Sequence, residues 1–336
     1  MPKCVTIKAM AKRRIIFFGT PAVAARTLRH LLDEGLEVVA VVSQPDRPRG
    51  RGKRLAPTPV REAAQAVGLP LLQPESCRDA GFIDELAAYE PDLLAVVAYG
   101  QFLPRRLRGL PRLAALNLHY SLLPAYRGAA PVNWALVEGV RRTGVTVQRV
   151  ARRMDAGDIL LQREVEVARR ATAPELLERL IPVGAAALTA ALRDCAELLE
   201  RARPQAEGRV SYAPLLRREH GGLDFRRPAR ELFDRWRGLL PWPGVYCELD
   251  GQRLKVHRLA LREGRTDRPP GTIFDLEGST GLTACGEGGI LALEEVQAPN
   301  QQRLDLRSFL NGRRLRTPVA LTSCPPRPKT APGEAR

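Results

Sequence analysis

From residue 14 the apolar positions fall into two alternating textures. "RIIFFG" (14–19) and "LEVVAVVS" (36–43) are short, nearly unbroken apolar runs rich in β-branched side chains, the pattern of strands buried on both faces. Between them "AVAARTLRHLLDEG" (22–35) repeats its apolar positions at helical spacing and stops at a glycine, as a helix does. The alternation continues through "PVREAAQAVG", "LPLLQ", "GFIDELAAYE" and "DLLAVVAYG" (59–100). It predicts an α/β domain with a doubly wound, mostly parallel sheet over 12–201, closed by an Ala-, Leu- and Glu-rich helix over about 174–201. The Pro- and Gly-containing stretch that follows reads as a linker, 202–215.

Beyond the linker the texture changes. One helix is expected over 228–239. "GVYCELDGQRLKVHRLAL" (244–261) then places a two-residue Asp-Gly turn between alternating runs, a hairpin signal. "GTIFDL", "GLTAC" and "GGILALEEVQ" follow at close spacing, so residues 216–321 are expected to form a small barrel or sandwich. Residues 322–336 are polar and Pro-rich and read as a disordered tail. At the other end Met10 reads as the start, since residues 1–14 carry neither a signal peptide's apolar stretch nor a clear transit pattern.

Composition narrows the partners. A chain of 336 residues has room for two domains, and its formal charge of +16 attracts polyanions such as RNA, DNA or acidic membranes. No apolar run approaches the length of a membrane span. The six cysteines are scattered without a CxxC, which argues against a zinc site or a disulfide framework and for a reducing compartment. Part of the charge is concentrated in "SQPDRPRGRGKRLAPTPV" (43–60), where Arg47, Arg49, Arg51, Lys53 and Arg54 face one acid, Asp46. Its prolines and glycines leave no helix or strand able to bury it, so it is either a solvated charge run or a loop shaped for a polyanion.

Three places could carry chemistry. Gly19, Thr20 and Pro21 end the first strand where a phosphate loop would lie, though a tight strand-to-helix turn explains them better. In "AALNLHYSLLPAYRGAAP" (114–131), a strand over "ALNLH" would project Asn117 and His119 from one face at its carboxyl end, the edge where open α/β sheets bind ligands. Taken alone, a turn-forming asparagine and a satisfied core histidine are the plainer reading. In "RRMDAGDIL", Asp155 and Asp158 sit in a Gly-containing turn between two strand-like runs, where solvated turn acids are the plain reading. An Asn, a His and an Asp meeting at a strand edge would suit acyl transfer to an amine. Asn117 would donate to the oxyanion, His119 would donate or take a proton, and Asp155 would orient its ring.

These stretches, with "QPDRPRGRGKRLAPTPV", "VVAYGQFLP", "LPWPGVY" and "FLNG", resemble the methionyl-tRNA formyltransferases, in order and from about Arg13 to Leu321. The resemblance implies a Rossmann-like formyltransferase domain followed by an OB-like barrel that also contacts tRNA. The implied reaction is formyl transfer from 10-formyltetrahydrofolate, as co-substrate, to the α-amine of methionyl initiator tRNA. Asn117, His119 and Asp155 would be catalytic. Ser121, Leu122, Leu123 and Pro124 would line the folate site, and Tyr99, Gly100, Gln101, Phe102 and Leu103 would cradle the pterin. The basic loop would enter the acceptor arm, with Arg51 as its key arginine. A cytoplasmic monomer without metal is expected. The chain departs from the family pattern at Ala22 and Val23, where an acid and an aromatic are usual, and at Arg153 and Ala156. Tyr120 stands where a small residue is common, so it would narrow the pocket. Two rivals keep the same residues: formylation of another amine, such as an amino-sugar nucleotide, and RNA binding on an inactive scaffold.

Overall fold

The computed structural model describes residues 13–49 and 54–329; the expected start at Met10, together with Arg51 and Lys53, lies outside them. The chain divides into two compact units, Met1–Pro124 with Gly144–Glu164 and Arg179–Arg209, and Ala125–Thr143 with Val165–Glu178 and Val210–Arg336.

The first unit begins with β1 (Ile15–Gly19), α1 (Ala22–Asp33) and β2 (Val38–Val42), then β3 (Arg47–Arg49) and β4 (Arg54–Ala56). It continues through α2 (Pro59–Ala66), β5 (Leu71–Leu72), α3 (Ala80–Ala87), β6 (Leu93–Val97), α4 (Arg105–Arg108) and β7 (Ala114–His119). After α5 (Pro131–Val137) come β8 (Arg142–Arg149), β9 (Ile159–Glu166), α6 (Ala173–Arg193) and α7 (Cys195–Glu200). The sheet order is β5-β2-β1-β6-β7-β8-β9. Pairing is parallel from β5 through β7, and β8 runs antiparallel to β7. The chain works outward from β1 and then returns beside it as β6, which makes the carboxyl ends of these two strands the switch point of the sheet. Alternate residues of the apolar strands face opposite layers: Ile16, Phe18, Leu94 and Ala115 join Phe82, Leu86 and Leu107 in one core, and Ile15, Phe17, Leu93 and Leu116 are buried on the other face.

The second unit continues with α8 (Ala229–Gly238), β10 (Val245–Leu249), β11 (Gln252–Arg262), β12 (Thr272–Glu277), β13 (Thr280–Ala284), β14 (Ile290–Gln297), β15 (Leu304–Asp305), α9 (Leu306–Gly312) and β16 (Val319–Ala320). The sheet runs β10-β11-β14-β13-β12-β16, and Glu248 and Thr322 exchange both backbone hydrogen bonds, at 3.1 and 2.8 Å. That bridge ties the first strand to the chain just past the last, and the antiparallel strands form a half-barrel. Its core gathers Phe225, Leu232, Phe233, Leu254, Leu291 and Phe309. Helix α5 packs on α8, where a Cβ on Gly238 would meet Val137 at 2.8 Å, and Asn133 donates to the Gly238 carbonyl at 2.7 Å.

Several boundaries differ from those the sequence suggests. The long helix expected over 174–201 is two helices, because Asp194 leaves helical geometry at φ −106°, ψ 23°. Residues 125–143 and 165–178 pack with the second unit rather than the first. The 202–215 segment is bonded rather than free: Arg203 and Ile159 exchange backbone bonds at 2.8 and 3.0 Å, and Arg127 receives Ala213's N–H at 2.7 Å. Nor do residues 322–329 behave as a disordered tail. Cys324 donates to the Leu223 carbonyl at 2.7 Å and Arg327 to that of Glu219 at 3.0 Å, and Lys329 pairs with Glu138 while lying 5.6 Å from the Tyr126 ring centroid.

Candidate active site

Strand β7 ends the run of parallel pairing. Asn117 lies opposite Gln148 and His119 opposite Thr146 on antiparallel β8, so all four side chains share one face. His119 is 6% exposed, and its Nδ1 is 3.7 Å from Oδ1 of Asp155. Asn117, His119 and Asp155 are thus brought to the same end of the sheet.

The Asp155 turn is set by its neighbours. Asp155 itself adopts φ +50°, a conformation that Asp tolerates better than most residues. Gln148 donates to Asp155 Oδ1 at 3.2 Å and accepts from the Gly157 N–H at 3.1 Å. The Gln205 amide lies 2.8 Å from the carbonyl oxygens of both Asp155 and Gly157. Gly157 has no room for a side chain, since a Cβ would stand 1.7 Å from the Arg149 carbonyl oxygen. That contact explains the glycine in "DAGD". Asp158, by contrast, is exposed and turns its backbone to the sheet, accepting the Arg149 N–H at 3.0 Å.

Thr146 organises the segment after β7. Its hydroxyl donates to the Ser121 carbonyl at 2.6 Å and accepts the Leu123 N–H at 3.1 Å, while Gln162 reaches both Thr146 Oγ1 and the Leu123 carbonyl at 2.9 Å. Ser121, Leu122, Leu123 and Pro124 are therefore held against β8, with Ser121 and Leu123 buried. Gln148, Gln205, Thr146 and Gln162 were not singled out by motif. Gln148 had one usable signal, a polar side chain on the same face of β8 as Thr146, alternating with Val145 and Val147; Gln205, in an aperiodic stretch, had none.

At the switch point, Thr20 donates to the Tyr99 carbonyl at 2.8 Å. The Tyr99 ring meets Phe18 edge-on at 5.3 Å, and its phenol accepts the Cys77 thiol at 3.3 Å. Burial pushes the ionisation of both groups upward. Gly100 adopts φ +94°, a conformation suited to glycine. Gln101 fastens the turn by accepting the Cys77 N–H at 3.0 Å. Leu103 is buried, and Phe102 is half exposed under the Arg108 guanidinium at 5.8 Å. Near this turn is a cavity of about 430 Å³ between α4 and the Asp155 turn, lined by Arg105, Arg108, Ala115, Arg149, Ala156 and Asp158 among others. Residues 99–103 are not among its lining residues. Ala115 is, and it projects from the same strand face as Asn117 and His119.

The basic stretch forms a feature the sequence reading did not anticipate. β3 and β4 pair as a short antiparallel ribbon, Arg47 opposite Ala56 and Arg49 opposite Arg54, with Arg47 and Leu55 exposed. Its base is fixed by Asp46, whose carboxylate accepts from Gln73 at 2.9 Å and from the Thr58 N–H at 3.2 Å and pairs with Arg61. The Gln73 hydrogen bond, with help from Thr58 and Arg61, holds the Asp46 carboxyl below its ordinary range.

Two family models match the chain, the formyl transferase model over residues 13–192 and the formyl transferase C-terminal domain model over residues 215–314. The methionyl-tRNA formyltransferase of Acidobacterium capsulatum is 42% identical over 303 residues, 90% of this chain and 97% of that one. That of Geobacter sulfurreducens is 42% identical over 308 residues, 91% and 96% of the two chains. The chain belongs to the methionyl-tRNA formyltransferase family. Among solved structures, HypX from Aquifex aeolicus in complex with tetrahydrofolic acid shares the fold at a TM-score of 0.58 and 16% identity, covering 89% of this chain and 47% of that one. An N-formyltransferase from Helicobacter canadensis, in complex with folinic acid and dTDP-3-aminofucose, does so at 0.60 and 14%, covering 86% and 100%.

The fold shows how Tyr120, expected from the sequence to narrow the pocket, is housed. Its ring lies on the face of Leu118, where Cβ atoms built on Gly184 of α6 would stand 3.1 Å from Leu118 and 3.3 Å from Tyr120. Its hydroxyl is beside Thr27 of α1 without a well-directed hydrogen bond, and burial pushes its pKa up to about 12. Tyr120 therefore points away from Asn117 and His119 and does not narrow their pocket, contrary to the sequence expectation. Gly184 supplies the space. Ala22 and Val23 stand at the first turn of α1; Arg153 and Ala156 lie in the Asp155 turn, where Ala156 N–H bonds the Arg153 carbonyl at 3.3 Å.

Proposed function

We propose that this chain transfers the formyl group of 10-formyltetrahydrofolate to the α-amine of methionyl initiator tRNA, giving formylmethionyl-tRNA for translation initiation. The observation that carries the reading is the gathering of Asn117, His119 and Asp155 at the end of β7, on the strand face whose Ala115 also lines the 430 Å³ cavity. Folate would enter that cavity, with the Tyr99–Leu103 turn nearby and Ser121 to Pro124 flanking the formyl group.

In the reaction the neutral amine nitrogen bonds to the formyl carbon and the carbonyl electron pair moves to oxygen. Asn117 and His119 donate hydrogen bonds to that oxyanion, the charge that grows in the transition state. Asp155 orients the His119 ring. The intermediate collapses as the carbon–N10 bond of the folate breaks: N10 takes the proton that His119 had held toward the oxyanion, and the amine then returns one to His119, leaving tetrahydrofolate. An amine is already a nucleophile, so the chemistry asks for neither a metal nor an enzyme nucleophile.

The ribbon carrying Arg47, Arg49, Arg51, Lys53 and Arg54, rooted on Asp46, would approach the acceptor arm, where cationic side chains gain from phosphates. The barrel, which we read as OB-like, would add contacts to the same tRNA, and the enzyme would work as a cytoplasmic monomer. Replacing Arg51 with Ala should raise KM for methionyl-tRNA and leave folate affinity unchanged; equal loss of both would count against a tRNA role. A sugar-nucleotide amine offered beside methionyl-tRNA separates this reading from formylation of another acceptor.

A further inference from the structure

Past β16 the chain returns as a strap. Phe225 donates its N–H to Ser323 Oγ at 2.9 Å, and the Cys324 and Arg327 amides bond the Leu223 and Glu219 carbonyls at 2.7 and 3.0 Å. These bonds deliver Lys329 to a cage at the end of α5. Its ammonium pairs with Glu138 and lies 5.6 and 5.8 Å from the ring centroids of Tyr126 and Trp134, within the range at which a ring face attracts a cation. The walls of the cage are themselves fixed. The Trp134 indole N–H donates to the Pro214 carbonyl at 2.8 Å. Glu138 accepts the Tyr126 phenol on Oε2 at 2.7 Å and the ammonium on Oε1. Burial and the adjoining carboxylate push the ionisation of the phenol upward, which keeps it a donor.

What the cage holds is a strained residue. Tyr126 adopts φ +63°, a left-handed conformation that is rare for a bulky side chain and persists only where the surroundings over-determine it. On its backbone side, Tyr126 N–H donates to Ser211 Oγ at 2.9 Å, and Arg127 N–H donates to the Ser211 carbonyl at 2.9 Å. On its ring side the supports are Glu138 and the ammonium. Tyr126 follows Pro124 by two residues, so it is the downstream anchor of the Ser121–Pro124 segment, whose other fastenings are Thr146 and Gln162.

We propose that Lys329 is a positioning residue for formyl transfer: by holding Tyr126 through its ring and through Glu138, it fixes the downstream end of the segment that flanks the formyl group. The inference rests on the folate-lining reading of Ser121 to Pro124 given above. It adds a residue that lies outside both family-model matches, which end at 192 and 314. An unsupported left-handed side chain is disfavoured by roughly 5- to 100-fold, and apparent ligand affinity falls in proportion to the fraction of molecules left competent. Because Ser211 and Glu138 still hold Tyr126 when the ammonium is gone, the loss belongs at the low end, about fivefold.

The test compares the full chain with Lys329→Met and Lys329→Arg. The side chain is 30% exposed, so methionine in its place leaves the core intact while removing the charge. Four quantities are read: the dissociation constant of 10-formyltetrahydrofolate without tRNA, its KM and kcat at saturating methionyl-tRNA, the melting temperature, and amide hydrogen exchange. Lys329→Met should raise the dissociation constant and KM for the folate about fivefold and leave kcat at saturation near wild type. Exchange should quicken at Tyr126 and Arg127 and stay unchanged in β1. Lys329→Arg, which keeps a cation against the rings, should restore most of the affinity. A strap that only stabilised the fold would instead lower the melting temperature and the active fraction, hence kcat, at unchanged KM; that result would overturn the proposal. So would unchanged folate affinity and exchange in Lys329→Met. Formyl transfer by the wild type alongside either result would leave the function standing and remove only the role of Lys329. A wild type that binds folate yet formylates nothing would remove the function, and folate affinity and exchange would still decide the role of Lys329.

Discussion

Replacing Gly157 with alanine puts a methyl group into space the backbone already occupies. The added Cβ would stand 1.7 Å from the Arg149 carbonyl oxygen and 2.8 Å from its carbon, where real Cβ contacts stay above 3.0 Å. The turn must therefore retreat from β8 by about 1.3 Å. Asp155 is two residues away on the same turn and already 3.7 Å from His119, and the Gly157 N–H bond to Gln148, at 3.1 Å, would open with it. A displacement of about 1 Å in a catalytic constellation can cost on the order of 10²-fold in rate, while overpacking costs about 1–3 kcal/mol of stability. Gly157→Ala should therefore stay folded with a lower melting temperature, and its kcat/KM for formylation of methionyl-tRNA should fall about 100-fold. Gly208→Ala is the control, since nothing lies within 4 Å of its added Cβ, and it should keep full turnover. Wild-type kcat/KM in Gly157→Ala would refute the view that this turn holds Asp155 in a working position.

Asn117→Ala should lower turnover about 10²- to 10³-fold if its amide donates to the oxyanion; folded protein with unchanged turnover would remove that role. Tyr120→Phe deletes a buried hydroxyl without a well-directed partner, so thermal melting should show stability unchanged or slightly higher and assays unchanged activity; lost turnover would mean that the ring faces the reaction after all. Asp46, held below its ordinary pKa by Gln73, Thr58 and Arg61, contributes stability above the unfolded value of about 3.9 and loses it as pH falls through the lower folded value. The urea-midpoint gap between wild type and Asp46→Asn should thus be full at neutral pH and shrink under strong acid; a gap independent of pH would contradict the anchoring role.

What the sequence discloses depends on how local the signal is. The β7 site is legible because strand geometry alone puts Asn117 and His119 on one face, and "DAGD" carries its glycine for a contact with Arg149 at the end of β8. The parallel sheet is legible from β1, β2 and β6, whose apolar runs need cover on both faces. Gln205 is not, because its role comes from the path the chain takes after α7 and leaves no period behind. The break at Asp194 hides for a related reason: helix-forming residues continue on both sides of it, and a one-residue departure barely changes their spacing. The same limit governs 125–143, which follows the site in sequence but packs against α8. The β3–β4 ribbon is concealed by Pro48 inside β3 and by the prolines and glycines of the surrounding sequence, residue types that argue against strands. Tyr120 looked obstructive only because its counterpart, Gly184, is 64 residues away in sequence.

The most direct test of the account is formyl transfer from 10-formyltetrahydrofolate to methionyl initiator tRNA, measured beside methionyl elongator tRNA and free methionine. The account predicts rapid transfer to the initiator, much slower transfer to the elongator and none to methionine. Folded protein that binds tRNA yet formylates none of the three would contradict it.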